Sequence, residues 1–427
     1  MKRKIVNAQL DYCPIIEALL FYVKLGIYFR GWTKIASKGW PHMKFGSRRT
    51  IIGVIAILAA SLTGVALAAG QAGQAAQEPR PQMAEVAFKN VTVLKGIPVD
   101  EFMDTMGMIS AALGLNCLDC HVADADKSWD RFALDTPMKV TSRKMINMVA
   151  GINKDNFSGV RNVTCWTCHR GDLKPSTLPN LEVQYSAPTQ DANDIRINPS
   201  SPPGPAPDQV FNKYIQAVGG AQRVAQLTSF TAKGNYEGFD THHTKVPVEI
   251  FAKSPNQRTV VTHAAFADRV SAYNGTVGWV AAIEKPMPLM PMTGDNLSGL
   301  KIEAMACFPG QLKSIAANWR SSTTSIGDKD VTVLQGTNPR QPPVNLYFDQ
   351  TSGLLVRLVR FNDTPIGRVP TQIDYTEYKE VAGVKLPNKW TSTWTDGQVH
   401  WEVTDIQANV QIDAAKFDRP APAAMRK

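Results

Sequence analysis

Two copies of a Cys-x-x-Cys-His motif constrain this chain more than any other feature of its sequence. The first copy lies in NCLDCHVAD (116–124), and the second lies in TCWTCHRGD (164–172). A redox pair of cysteines or a zinc knuckle needs no histidine directly after the second cysteine, and neither explains why the histidine occurs twice. Covalent attachment of haem uses all three residues. The two copies therefore predict two haem attachment sites.

The chemistry of attachment assigns a role to each residue of the motif. Two thiols add across the vinyl groups of the haem ring, and the following histidine turns back beneath the ring as an iron ligand. The sequence thus predicts two covalently bound haem c groups, attached through Cys117, Cys120, Cys165 and Cys168 and ligated at iron by His121 and His169. Only Cys13 and Cys307 remain, so no disulfide framework is indicated, and Cys307 is expected to be a buried free thiol.

The basic character of the chain belongs to its first 68 residues. They hold ten Lys and Arg residues against two acidic ones, which leaves 36 basic and 35 acidic residues in the rest, so nucleic-acid binding is not indicated. Within this leader (1–68), KFGSRR (44–49) is basic, residues 51–66 are apolar, and 66–68 form an A-x-A cleavage site. We expect translation to start at Met43 and the mature protein to reach the periplasm.

Two membrane-anchored alternatives remain open. An uncleaved segment at 51–68 approaches the length of a membrane span. The earlier run at 12–29 is also apolar, but Glu17 and Lys24 within it would be costly at mid-bilayer. Either segment would tie the exported protein to the membrane.

Composition divides the rest of the chain into four parts. Residues 69–87 are small and polar and predict a disordered tether, and residues 88–175 predict a compact helical segment that holds both motifs. Residues 176–207 form a Pro-rich linker, and residues 208–420 alternate short β-rich runs with turn signals. The predicted fold is multidomain, with a small, mostly α dihaem c-type cytochrome domain followed by an α+β domain that contains an antiparallel half-open β-barrel.

Methionine is the candidate for the sixth iron ligand. The chain has seven histidines, and only His121 and His169 lie in the haem segment, which excludes local ligation by two histidines. The same segment holds six of the fourteen methionines: 103, 106, 108, 138, 145 and 148. Helical periodicity at 97–114 and 136–153 places one group before each motif. Core packing is the usual role of a methionine, so either one methionine per helix ligates iron or a site stays open.

The second unit, SRKMINMVAGIN followed by VTCWTCHRGD, resembles the haem-binding units of the cytochrome c subunit of photosynthetic reaction centres and its non-phototrophic relatives. This resemblance implies that Met145 ligates the second iron. The first unit, EFMDTMGMISAALGLNCLDCH, resembles the family's helix, and this resemblance implies Met106 as the candidate ligand of the first iron. The family subunit carries four haems and this chain two, and the histidine that the family places between helix and motif is absent from 156–162.

The β-rich half has a weaker resemblance to the half-open barrel of periplasmic lipoprotein carriers. The resemblance rests on YIQAVGGAQRVAQLTSFTAKG, LYFDQTSGLLVRLVR and TQIDYTEYKEVAGVKLPNKW. It implies a module that wraps an acyl chain or that docks a partner, and a lipid or quinone in the β domain is a possible partner. KPMPLMPM (285–292) predicts an apolar loop over the barrel mouth, with a Cu(I) thioether site as the alternative, and His242 and His243 predict a solvated pair.

Methionine–histidine ligation saturates iron, and a saturated haem exchanges electrons without binding a substrate. The sequence therefore predicts an electron-transfer protein, not an enzyme, that relays electrons between membrane-associated redox partners. A dihaem peroxidase is the enzymatic alternative and would need an open iron beside an acid–base group such as Asp104, Asp119 or Asp124. The third hypothesis is a lipid- or quinone-binding barrel with accessory haems.

Overall fold

The computed structural model describes residues 81–181 and 204–425, and these belong to one compact unit, Glu78–Lys427. The predicted leader, the tether up to residue 80 and the linker at 182–203 lie outside the described residues. No helix in the described ranges is both long and apolar enough to cross a membrane.

The first described segment is helical and contains both motifs. Its α-helices are α1 Ala84–Ala87, α2 Val99–Leu113, α3 Cys117–Cys120, α4 Pro137–Asn156 and α5 Cys165–His169, with 3-10 turns at Ala125–Lys127 and Trp129–Ala133. The two long helices, α2 and α4, occur where periodicity predicts them. The α1 helix lies within the predicted tether, but Ala84 is fully buried and its N–H donates to Ile97 O at 2.9 Å, so ordered structure begins before residue 88.

Local sequence signals set the ends of the two long helices. The α2 helix ends at Gly114, which adopts a left-handed conformation with φ of 64° and closes the helix through its N–H to Ser110 O. The α4 helix begins after Thr136, whose side chain accepts a hydrogen bond from Lys139 N, with Pro137 at the first helical position. Gly114 therefore fixes where α2 ends before the first motif, and Thr136 fixes where α4 begins.

The second described segment is a large antiparallel sheet with three α-helices, in agreement with the predicted antiparallel β-rich half. The helices are α6 Pro207–Ala217, α7 Ala221–Gln226 and α8 Gly294–Ala306. Thirteen strands follow the order β6-β5-β4-β3-β2-β1-β13-β12-β11-β10-β9-β8-β7. Their bounds are β1 Ser229–Gly238, β2 Val246–Lys253, β3 Gln257–His263, β4 Asp268–Tyr273, β5 Gly278–Ala281, β6 Met290–Pro291, β7 Asn318–Ile326, β8 Lys329–Thr337, β9 Val344–Asp349, β10 Leu355–Thr364, β11 Gly367–Val381, β12 Val384–Trp394 and β13 Gly397–Ala408.

The run at 285–292 differs from the predicted loop. Its Met290 lies in β6, pairs with Val280 of β5 and is only 4% exposed. Backbone pairing at the edge of the sheet has thus drawn part of this run into the core. His242 and His243 are both exposed, as predicted.

Two hairpin turns of the sheet pack against α2. At the β12–β13 turn, Thr395 and Asp396 approach Gly107 so closely that a Cβ there would lie 2.7 Å from Thr395 Oγ1. At the β10–β11 turn, Ile366 and Val369 form a buried cluster with Met108. The helical segment is therefore held against one end of the sheet.

Candidate haem-binding sites

An apolar cleft in the helical segment brings together the predicted residues of the first haem site. Met106 of α2, Cys117 and Cys120 of α3, and His121 all line this cleft, which contains about 1250 Å³ of empty space including its open mouth. Its apolar wall includes Phe88, Phe102, Ile109, Leu113, Trp129, Phe132 and Ile146. Thiols, an imidazole and a thioether in an apolar cleft fit a covalently attached haem. Met103 also lines the cleft, so it is a second thioether within the same site.

The ring of His121 is oriented for ligation. Its Nδ1 lies 3.0 Å from Phe132 O, and a carbonyl can only accept, so Nδ1 carries the proton and Nε2 is left as the metal-binding nitrogen. Burial, together with the nearby Lys139 cation, lowers the pKa of His121. Both effects favour the neutral imidazole, which is the form that binds iron.

Both motifs begin with the same local structure, which the sequence reasoning did not identify. At the first, Asn116 Oδ1 accepts from Asp119 N at 3.3 Å, and Asp119 Oδ2 accepts from Asn116 N at 2.8 Å. At the second, Thr164 and Thr167 exchange the equivalent bonds. These are capping boxes, and Asn-x-x-Asp and Thr-x-x-Thr around the first cysteine are the signals that predict them. Each box fixes the short helix that presents the two thiols.

Two cations on the cleft wall were also missed. Lys139 Nζ donates to Phe132 O and Leu134 O, both at 2.7 Å. Arg143 Nη1 donates to Asp135 Oδ1 at 2.8 Å. Because haem carries two carboxylates, these positions could pair with them through charge-assisted hydrogen bonds. Their spacing on α4, four residues apart, is the available sequence signal.

The second motif lies on α5 and repeats the histidine arrangement. His169 Nδ1 lies 3.0 Å from Asp172 O, which again leaves Nε2 for a metal. Trp166 and Met148 are 47% and 46% exposed, whereas Met145 is half-buried. The exposed side chain of Trp166, within the motif, leaves room for a haem face to cover it. Ligation of iron by Met145 stays a prediction.

The α4 helix presents different faces to the two predicted sites. Lys139, Arg143 and Ile146 line the first cleft. At about 100° per residue, the set that contains Met145, Met148 and Ile152 points about 150° away from them. One helix can therefore contribute to both sites without sharing a residue.

Direct contacts join the second motif to the end of α2. Gly171 N donates to Ala112 O at 2.9 Å, and a Cβ on Gly114 would lie 2.3 Å from Gly171 O. Cys165 packs with Met108 at the edge of the cluster that also contains Ile366. The two motifs thus share one packed helical unit.

Two carboxylates of α2, the buried Asp100 and the half-buried Asp104, connect this helix to the start of α8 and to β10. Asp100 is 3% exposed and accepts hydrogen bonds from Thr293 N at 2.7 Å and Thr293 Oγ1 at 2.8 Å. Asp104 accepts from Asn296 Nδ2 at 2.8 Å and from Asn362 Nδ2 at 2.9 Å. Burial raises the pKa of both carboxyls, while these hydrogen bonds act in the opposite direction.

The raised pKa of Asp100 predicts a pH dependence of stability. The folded protein holds the Asp100 proton more tightly than the unfolded chain, so this contribution is largest below the ordinary carboxyl range and is lost as the pH rises from about 4 through the raised pKa. We expect Asp100→Asn, which cannot ionise, to make the fall in unfolding free energy between pH 4 and pH 7 shallower. Urea denaturation of haem-loaded protein at several pH values measures this slope.

Asp208→Asn is the matched control, because the Asp208 side chain is 69% exposed and pairs with Lys313 across the surface. We expect it to leave the slope unchanged. Equal slopes for Asp100→Asn and the wild type would contradict the assigned role of Asp100.

Comparison with known proteins bears on the helical segment. Residues 56–236 match the family model described as photosynthetic reaction centre cytochrome c subunit, which confirms the predicted resemblance. The chain is 37% identical over 105 residues to such a subunit from Thermochromatium tepidum, covering 24% of each protein. It is 31% identical over 105 residues to the subunit from Roseobacter denitrificans, covering 23% of this chain and 28% of that one. The chain thus matches only about a quarter of the length of these relatives.

Solved structures similar to this chain include a LolA superfamily protein from Nitrosomonas europaea, at 14% identity and a TM-score of 0.33, covering 49% of this chain and 96% of that one. A DUF1329 family protein from Desulfovibrio piger reaches a TM-score of 0.34 at 9% identity, with the same coverage of both chains. TM-scores this low do not identify a shared fold.

Proposed function

We propose that this chain is a periplasmic dihaem c-type cytochrome that transfers electrons between membrane-associated redox partners. The observation that carries the proposal is the cleft in which Met106 meets Cys117, Cys120 and His121. A thioether and an imidazole from different elements, next to two thiols, would supply the donors that attach a haem and saturate its iron. The similarity to reaction centre cytochrome c subunits supports the same chemistry.

The residues that would hold each haem follow from this assignment. Cys117 and Cys120 would attach the first haem, with His121 and Met106 as iron ligands. The second would be held in the same way by Cys165, Cys168, His169 and Met145. When bound, each haem supplies an iron that accepts and returns one electron. The protein fixes the imidazole tautomer through Phe132 O and Asp172 O, and it lines the first site with a largely apolar wall.

The peroxidase alternative has less support, since its three candidate acid–base groups are engaged away from the cleft. Asp104 accepts from two amides, Asp119 closes the capping box of α3, and Asp124 Oδ1 lies 2.5 Å from Arg131 Nη2. None of these carboxylates is among the residues that line the first cleft. A general acid must reach the reacting group to act.

An optical redox titration of the mature, haem-loaded protein, combined with carbon monoxide treatment of the reduced form, tests the proposal. We expect two haems with raised potentials, low-spin iron in both, and no carbon monoxide adduct, because methionine occupies the position that the gas would take. Intact mass should show the mass of two haems above that of the polypeptide. Ready binding of carbon monoxide to one haem of the unmutated protein would overturn the proposal in favour of an enzyme.

A further inference from the structure

The β-rich half contacts the face of α2 that points away from the first cleft. Four residues of the helix make these contacts: Asp100, Asp104, Gly107 and Met108. At about 100° per residue, this set points about 150° away from the residues of α2 that line the cleft, among them Met106. The helix therefore lies between the β-rich half and the first haem site, with Met106 on the haem side.

Gly107, the residue directly after Met106, is where the β12–β13 turn meets this helix. It is buried, and a Cβ there would lie 2.7 Å from Thr395 Oγ1 and 3.5 Å from the carboxyl carbon of Asp396. Glycine in the interior of a helix is unfavourable relative to alanine. At this position it permits an approach of the turn that a methyl group would block.

The β12–β13 turn is a tight connection between two well-paired strands. Trp394 pairs with Gly397 across it, so only Thr395 and Asp396 lie outside the strands. The ring of Trp394 covers Gly397, where a Cβ would lie 2.4 Å from a ring carbon. On their other sides, β12 pairs with β11 and β13 pairs with β1. A two-residue turn has few alternative conformations, so α2 packs against a well-defined surface.

The placement of α2 matters for the first haem because the two proposed iron ligands come from different elements. Met106 lies on α2, whereas His121 directly follows α3. Residues that hold a ligand from behind orient it and tune the metal. The axial ligand is in turn one of the features that set the potential of a haem. A displacement of α2 relative to α3 would therefore act on the bond between Met106 and iron.

We infer that the β12–β13 turn positions the ligand of the first haem: Thr395 and Asp396 fix α2 at Gly107 and thereby fix where Met106 meets the iron. The inference rests on the proposed ligation of that iron by Met106. It gives the β-rich half a role in electron transfer, because the turn sets the potential of the first haem. Both residues act through α2, so they are positioning residues and not ligands.

Gly107→Ala in the haem-loaded full chain tests this inference, because alanine favours the helix while its methyl group clashes with Thr395. We expect a weaker methionine–iron absorption band in the ferric protein and a lower potential of the first haem. The ferric–ferrous equilibrium should shift about tenfold, which is about 59 mV for one electron. The second haem is the internal reference, since Met145 lies on α4, and Met106→Ala identifies the redox wave of the first.

Adding Thr395→Ala to Gly107→Ala should restore both the band and the potential. It removes the atom nearest to the new methyl group and leaves Asp396 at an ordinary van der Waals distance. Gly151→Ala is the matched control, because it makes the same change inside α4, where no atom of the described residues outside that helix lies within 4 Å of the added carbon. We expect it to leave both haems unchanged.

The positioning role would be overturned by an unaltered first haem in Gly107→Ala, by an effect that Thr395→Ala does not relieve, or by an equal change in both haems. If Gly107→Ala does not take up haem, recovery of the wild-type spectrum in the double variant supports the role, and its absence overturns it. Carbon monoxide binding to the unmutated protein would count against the proposed function. A closed unmutated protein together with an unaltered Gly107→Ala overturns only the positioning role.

Discussion

Replacing Met106 by alanine is expected to open the first haem iron to carbon monoxide while the second stays closed. Met106 lines the same cleft as His121, and no other described histidine lines that cleft to take its place. Loss of the thioether should leave one high-spin haem and lower the potential of that haem by on the order of 0.1 V or more. Carbon monoxide difference spectra and an optical redox titration measure both effects, and half of the haem should react.

Two further substitutions sharpen this experiment. Met106→His should keep the iron low-spin and closed to carbon monoxide but still lower its potential, because imidazole raises the potential less than a thioether does. Met103→Ala is the matched control, since Met103 is a methionine of the same helix that lines the same cleft. We expect it to change neither spin state nor carbon monoxide binding. A carbon monoxide adduct in Met103→Ala but not in Met106→Ala would assign the ligand to Met103 instead.

The helices of the segment that holds both motifs could be predicted from the sequence, because the residues that determine their ends lie next to those ends. Gly114 and Thr136 sit at helix ends, and each is recognisable from the residues beside it. The donor set of the first cleft combines such a helix with a motif that follows within a few residues. Because the helix and the motif are so close in sequence, few arrangements of their side chains are possible. In the structure the predicted residues of the first site line one cleft.

Other parts could not be predicted because their stability comes from distant residues. The β7 strand, NWRSSTTSI, is rich in Ser and Thr, and as the last strand of the sheet it needs no apolar run. The α8 helix has Asp295 and Asn296 in its first turn, where they contact Asp363 N and Asp104. The bonds between Asp100 and Thr293 span 193 residues. No periodicity in either segment encodes such a pairing.

Gly114 is a position where adding one methyl group should strongly lower the unfolding free energy. Gly114 has φ of 64°, and a Cβ there would lie 2.3 Å from Gly171 O, so Gly114→Ala must displace either the end of α2 or the loop of the second motif. We expect a loss of about 2–4 kcal/mol in unfolding free energy, of which the left-handed backbone accounts for about 1 kcal/mol. Because Gly171 lies two residues after His169, the spectrum of the second haem should change as well.

Gly159→Ala is the matched control, because it introduces the cost of a left-handed backbone without the steric contact that Gly114→Ala makes with Gly171. Gly159 has φ of 79°, but no atom lies within 4 Å of where its Cβ would be. It should therefore lose only about 1 kcal/mol, and both haem spectra should stay as in the wild type. Chemical denaturation of the two haem-loaded variants, side by side, gives the difference directly. Equal losses would mean that α2 and the second motif do not touch in solution, and the two haem sites would then no longer share one packed unit.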